Sequence, residues 1–281
     1  MLYAVLIDDD SRGMYLPDFD DLDVSEDDLF LGLVDSDTDT ACGVLGAQPV
    51  SDGDDHIAVT ITLLRIAAGY EGRGGEKILL NMLLDVMGPL GCSAVHCSGA
   101  FMDDTDDNKV ALLSELGFSP EDETLPMYTF CVSDVNVKDA RSDLACVRLS
   151  DLKPDQWNEF VEETQGYDFF VMEPDMYERD LSVFLTDDDS SVQAGALLSV
   201  NGDVLFVDAI AAYGSDQENL INDLILWGSD GAKKRLPKDM QVDIFLPSSR
   251  QYRDILMAAT NKKAKKVGNL MTYTYDTSVQ F

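Results

Sequence analysis

Apolar and polar positions along the chain fall into short alternating runs and longer runs at helical spacing. LFLGLVD and TACGVLGAQPV are apolar runs divided by an Asp/Thr/Ser-rich turn, the pattern of two paired strands. HIAVTITLLRI alternates and is rich in β-branched residues, which predicts a longer strand. A glycine-rich turn, AAGYEGRGG, follows. EKILLNMLLDVM then places Ile78, Leu79, Met82, Leu83 and Val86 at helical spacing, and Gly88, Pro89 and Gly91 end that helix. SAVHCSGAF predicts a strand, DDNKVALLSELGF a short helix and MYTFCV a closing strand.

The second half repeats this order. ACVRLSDL predicts a strand and PDQWNEFVEETQ a helix with Pro at its start. FLTDDDSSVQAGALLSV repeats the strand, acidic turn and strand. GDVLFVDAIAAY stands where HIAVTITLLRI stood, ENLINDLILWGSDGAKKRL is the long helix, MQVDIFLP the next strand, and SRQYRDILMAATN the short helix. LMTYTY echoes PMYTF. A period of about 145 residues means a duplicated domain and not a solenoid. The polar segment Ser133–Asp143 reads as the linker between the copies. The expected fold is α/β in the mixed α+β sense, with one domain over residues 1–135 and another over 145–281.

A strand that runs through glycines into a helix makes a natural anion site. Free N–H groups and the positive end of the helix dipole meet there, and glycine lets the backbone approach a phosphate. Here the turn is Tyr70-Glu71-Gly72-Arg73-Gly74-Gly75-Glu76-Lys77, so Arg73 and Lys77 add positive charge where a pyrophosphate would lie. The spacing is neither that of a P-loop nor of a GxGxxG dinucleotide turn. A tight turn between packed elements explains the local spacing equally well.

The order of elements, YEGRGGEKILL, and the helix ending LLSELGF resemble the GNAT N-acetyltransferase superfamily over residues 25–131. The second half resembles it in topology alone. In that family the turn (Gln/Arg)-x-x-Gly-x-(Gly/Ala) holds the pyrophosphate of acetyl-CoA, and the preceding strand end pairs with the pantetheine arm. The resemblance implies two tandem GNAT-like domains, each a mostly antiparallel mixed sheet flanked by helices. It implies acetyl-CoA as co-substrate, held by Leu64, Arg65, Ile66, Gly72, Arg73, Gly74, Gly75, Glu76 and Lys77, with Asn108 near the start of the next helix. Glu71 stands at the Gln/Arg position and Glu76 at the final small position, and each adds negative charge. The tyrosine that commonly protonates the leaving thiolate is replaced by Leu113. The second copy has only Gly214 at the matching turn, followed by Asp216 and Glu218, and is expected to be degenerate.

Charge sharpens this picture. The 53 acidic and 20 basic residues give a net charge of −33, of which −23 falls in residues 1–140 and −10 in the rest. A nucleic-acid binder needs a basic footprint, and an anionic membrane surface would repel this chain. A negative field around the first cleft favours cationic amines. The apolar fraction of 45% is ample for real cores. No apolar run reaches the length of a membrane span, and the first seven apolar residues meet aspartates with no basic region before them. Five cysteines (42, 92, 97, 131 and 146) without a CxxC pair read as reduced core thiols of a cytoplasmic protein.

Other candidates are weaker. Asp35-x-Asp37-x-Asp39 opens like a calcium loop, but Thr40 and Gly46 stand where glycine and glutamate are required, so a solvated hairpin turn is favoured. The run Asp103-Asp104-Thr105-Asp106-Asp107 suits a helix N-terminus and also lies at the mouth of the expected cofactor cleft. His56, beside Asp54 and Asp55, reads as a solvated strand end, and His96 faces one side of a strand. Two histidines and no paired cysteines make zinc improbable, so no metal is expected. The basic cluster Lys262 to Lys266 reads as a solvated turn or as an internal partner for the acidic half.

The expected activity is direct acetyl transfer from acetyl-CoA to a cationic primary amine, on a small molecule or a peptide. The thioester carbonyl would be polarised by a strand N–H near Ile66. No catalytic base is named; Glu71 and the carboxylates at 103–107 are geometric candidates. Neither nucleic acid nor membrane is an expected partner, and a homodimer is among the open oligomeric states. The rival expectation is a non-catalytic acyl-CoA-binding or interaction module, in which Leu113 marks the loss of the acid.

Overall fold

A computed structural model describes residues 1–8, 11–15, 28–51, 57–103, 105–165, 173–213, 216–247 and 249–277. His56, Asp54, Asp55, Asp104 and Gly214 lie outside the described residues. The chain divides into two compact units: 1–99 with 105–123 and 271–281, and 100–104 with 124–270. Each is a mixed α/β unit in which helices cover a twisted sheet.

The first unit begins with β1 (Leu2–Leu6) and a short α1 (Arg12–Tyr15). It continues through β2 (Leu29–Asp35), β3 (Thr40–Ser51), β4 (Ile57–Ile66), α2 (Gly75–Met87), β5 (Cys92–Met102), whose end from Ala100 on belongs to the second unit, and α3 (Asp107–Glu115). Strands β1 to β4 pair antiparallel in sequence order, and β4 pairs parallel with β5. A crossover helix makes that parallel step possible, since a tight turn cannot reverse the chain twice. Beyond β5 lie residues of β12 (Lys265–Asp276) and of β6 (Ser119–Cys131). These two strands, like β5, divide between the units: β6 after Glu123 and β12 after Leu270.

Helix α2 packs on β1, β2, β3 and β4 and buries Leu79, Leu80, Leu83, Leu84 and Met87. The buried stripe is therefore turned one residue from the Ile78/Leu79/Met82/Leu83/Val86 face that spacing predicts. The cause is the helix start. Gly75 is buried against Leu33 and Ile66, and residues four and eight places later fall on the same face. Leu31, Leu33, Leu45, Leu79 and Leu83 are fully buried.

The second unit runs β7 (Ala145–Arg148), α4 (Pro154–Glu163), β8 (Val183–Thr186), β9 (Val192–Asn201), β10 (Val204–Ala212), α5 (Gln217–Arg235), β11 (Gln241–Phe245) and α6 (Arg250–Ala259). Its sheet order is β7-β8-β9-β10-β11 followed by the end of β6. Alternation in β9 decides the two faces. Ala194, Ala196 and Leu198 join the core under α5 and α6, while Leu197 joins an aromatic cluster under α4. Gly195 is required there because a β-carbon would stand 2.4 Å from the ring of Phe160. The segment that reads as a linker is fastened onto α5. Fully buried Asp223 accepts hydrogen bonds from Arg141 N at 2.7 Å, Ser142 N at 2.8 Å and Ser142 Oγ at 2.7 Å.

The duplication extends to an irregularity. In β4 the register with β3 slips at Thr62, and in β10 the register with β9 slips at Asp208, 146 positions later. A bulge re-aims a strand and ends regular pairing.

Candidate functional site

In the first unit, β4 and β5 are joined by rungs from Ile57–Cys92 to Thr60–His96. Past that rung β4 runs on to Ile66 and β5 continues in this unit to Gly99, with no further rung between them among the described residues. Two parallel strands that part in this way leave a wedge edged by backbone N–H and C=O groups. Leu64, Arg65 and Ile66 form one edge of it, while their other side pairs with Leu45, Val44 and Gly43 of β3.

The glycine turn follows directly from the end of β4 that lies beyond the last rung. Gly72 and Gly74 both have positive φ, at 70° and 77°. A β-carbon on either would meet nothing within 4 Å, so these glycines are required by backbone conformation and leave open space above the turn. Gly74 is the N-cap of α2, and no side chain caps the helix there. The first intrahelical bond is Ile78 N to Gly74 O at 3.2 Å, so the amides of Gly75, Glu76 and Lys77 precede it. Gly75 differs from its neighbours: it is buried, and its glycine serves packing.

Charges around the turn are arranged as follows. The Arg73 guanidinium lies over the Tyr70 ring at 4.8 Å, an attractive stack that holds the cation beside the turn. The Tyr70 hydroxyl donates to Asp35. Glu71 folds back, with Oε2 accepting the Gly69 N–H at 2.7 Å, so its carboxylate is engaged by the turn itself. Glu76 is half-buried and Lys77 exposed. The residues from Leu64 to Lys77 thus come together. Asn108 is exposed in the first turn of the separate helix α3, and no described contact joins it to the turn.

Several candidates are re-read by their contacts. Asp106 is the N-cap of α3, yet its side chain makes no capping hydrogen bond; its carboxylate meets the Lys109 ammonium at 2.8 Å instead. Leu113 is buried in the core. Lys263 and Lys266, from the basic cluster, pair with Asp134 at 2.6 Å and Asp103 at 3.9 Å. All five cysteines are free thiols, and burial pushes those of Cys42, Cys92, Cys97 and Cys146 up. No cluster of metal-ligating side chains occurs among the described residues, and none of the described helices is long and apolar enough to cross a membrane.

One constellation has no local signal in the sequence. His96, half-buried on the last rung of the wedge, has Nδ1 2.9 Å from Thr274 Oγ1 and 3.5 Å from Glu121 Oε1. The Thr274 hydroxyl donates to Glu121 at 2.5 Å. Ser98, two residues along β5, meets Thr272 Oγ1 at 2.8 Å. Partners 25 and 178 positions away are invisible to any local pattern.

In the second unit the sequence lacks the glycine-rich turn, and β11 ends one residue past its last rung with β10. Rungs between β10 and β11 end at Val207–Ile244. Helix α5 begins on Asp216, whose carboxylate is held by Asn219 Nδ2 at 2.9 Å, and Glu218 meets Arg141 at 3.7 Å.

No family model and no curated protein matches the sequence. Solved structures do match. A tandem GNAT protein from the clavulanic acid biosynthesis pathway is similar with a TM-score of 0.68 at 10% identity, covering 98% of each chain. The glucosamine N-acetyltransferase region of a fungal multi-domain β-N-acetylglucosaminidase gives 0.67 at 13% identity. It covers 98% of this chain, which spans only 38% of the length of that protein. A probable N-acyltransferase from Enterococcus faecalis gives 0.62 at 10% identity over 100% of this chain and 73% of its own. The chain has the tandem GNAT fold.

Proposed function

We propose that the first unit binds acetyl-CoA and transfers its acetyl group to a primary amine, and that the amine is cationic. The observation that carries this reading is the turn that follows the end of β4. Two glycines in the left-handed region and an uncapped helix start present free amides to open space, with Arg73 and Lys77 beside them. In this reading the pyrophosphate lies over residues 72–77 and the pantetheine along Leu64, Arg65 and Ile66, with Asn108 a further contact. The exposed backbone of β4 supplies the N–H that polarises the thioester carbonyl. An amino sugar, the acceptor that the fungal relative's name implies, belongs to the same class of cationic primary amines.

A second reading is favoured by buried Leu113, at the position where the family's acid is common: an acyl-CoA-binding module without turnover. One assay separates the two. The protein is incubated with acetyl-CoA and a panel of primary amines, with thiol release as the readout and calorimetric titration of acetyl-CoA alongside. Amine-dependent release supports transfer; binding with no release against any amine supports the module; no binding sinks both.

A further inference from the structure

We propose that His96 is the general base of the first unit, held in its working tautomer by a Glu121–Thr274 relay. This inference rests on the acetyl-transfer reading above. The Thr274 hydroxyl has one proton, and it is directed to Glu121 Oε1. The hydroxyl oxygen therefore faces His96 as an acceptor, and the 2.9 Å contact requires the proton on Nδ1. Nε2 is left with its lone pair. That is the arrangement of a base whose far nitrogen is pinned by a second residue, which is itself pinned by a carboxylate.

Position gives the relay a task. A coenzyme entering over residues 72–77 directs its acyl end down the wedge towards the last rung, where Thr60 of β4 and His96 of β5 are paired. The side-chain partners of His96 are Thr274 and Glu121, its rung neighbour on β4 is Thr60, and Glu121 is the charged group among these three. Glu121, 3.5 Å from Nδ1, is the charged end of the relay and fixes the ring's orientation through Thr274.

The step balances. The ammonium of the acceptor gives one proton to Nε2, directly or through a water. The freed amine nitrogen attacks the thioester carbon, the C–N bond forms and the C–S bond breaks with its electron pair going to sulfur. The second nitrogen proton goes to the thiolate, giving the amide and free CoA thiol, and His96 returns its proton to solvent. Leu113, buried and without a proton to give, is not needed as an acid in this sequence.

The test uses the full chain. His96→Gln keeps a donor toward Thr274 but has no base, and is expected to lower kcat at least 100-fold, the lower end of general-base effects. Its acetyl-CoA affinity by calorimetry should stay within twofold, and the acid limb of its pH–kcat/KM profile should vanish. Thr274→Val removes the positioning hydroxyl and is expected to cost about tenfold in kcat with unchanged coenzyme affinity. Nitrogen-15 NMR gives a readout that needs no turnover, because His56 is the only other histidine. The neutral His96 ring should carry its proton on Nδ1 in the wild type and lose that preference in Thr274→Val. His96→Gln with kcat/KM within threefold and the acid limb intact, or an Nε2–H tautomer in the wild type, overturns the assignment while coenzyme binding stands. A wild-type protein that binds no acetyl-CoA overturns both readings.

Discussion

A β-carbon on Gly75 would stand 2.5 Å from Cδ2 of Leu33, whereas one on Gly72 or Gly74 would touch nothing. Adjacent glycines in one turn therefore answer different needs. Gly75→Ala forces α2 off the sheet and should destabilise by about 1–3 kcal/mol, the usual cost of overpacking. A double-mutant cycle with Leu33→Val should recover much of that loss, because the shorter side chain vacates the space. Gly72→Ala should cost about 1–2 kcal/mol through its left-handed backbone and show no coupling to residue 33. Equal coupling for the two glycines would refute the distinction.

Asp223 is fully buried and accepts three hydrogen bonds from residues 141 and 142. Removing the acceptor leaves the backbone N–H groups of Arg141 and Ser142 without their partner, so Asp223→Ala should destabilise the second unit by about 1–3 kcal/mol. Both tryptophans, Trp157 and Trp227, belong to that unit, so fluorescence during urea unfolding reports on it selectively. A midpoint unchanged from wild type would show that the attachment of the 141–142 segment contributes nothing to the fold.

At the bulge of β10, Asp208 accepts from Ser199, and its Oδ2 is buried with no hydrogen-bond partner among the described residues. Burial pushes its carboxyl above the usual range. The folded chain then holds the proton more tightly than the unfolded chain does. The carboxylate is destabilising at neutral pH, and that penalty disappears as pH falls through the raised folded value to the ordinary value of about 3.9. Asp208→Asn should raise the unfolding midpoint at pH 7 and bring no gain below about pH 4, near that unfolded value. A variant less stable than wild type at pH 7 would sink the idea.

Much of this fold is legible in sequence because its elements carry local signals. The alternation of HIAVTITLLRI marks β4, the helical spacing after Gly75 marks α2, and the period near 145 residues marks the repeat that the bulges at Thr62 and Asp208 echo. The glycine turn is legible too, since backbone conformation is written in residue type. Two things are not. The division of β6 and β12 between the units depends on pairing partners far away in the chain, as does the acidic stretch SPEDETLP entering a strand. The His96 relay depends on the same distant pairing, because β12 brings Thr274 to β5.

The first half's net charge of −23 has a kinetic consequence if the proposed transfer is correct. A negative field draws cationic acceptors towards the cleft over long range, and added salt screens it within about 10 Å at 0.1 M. Second-order rate constants for polyamines, amino sugars or basic peptides should exceed those for acidic amines and fall as salt rises. Acidic acceptors that react faster, or rates indifferent to salt, would show that the field does not guide the acceptor.

The two helix entries differ enough to predict how many coenzymes bind. α2 begins on Gly74, without a capping side chain and with Arg73 and Lys77 at hand, while α5 begins on Asp216 with Glu218 in its first turn. Carboxylates at that place repel a pyrophosphate, so acetyl-CoA should titrate at one site per chain. Gly74→Val should abolish binding, because a β-branched residue disfavours the positive φ and fills the space a phosphate needs. Arg73→Ala should weaken binding by about 1–2 kcal/mol, the scale of one charge-assisted hydrogen bond. Asp216→Ala and Glu218→Ala should leave stoichiometry and affinity unchanged. Two sites in the wild type, or full affinity in Gly74→Val, would falsify the assignment of the coenzyme to the first unit.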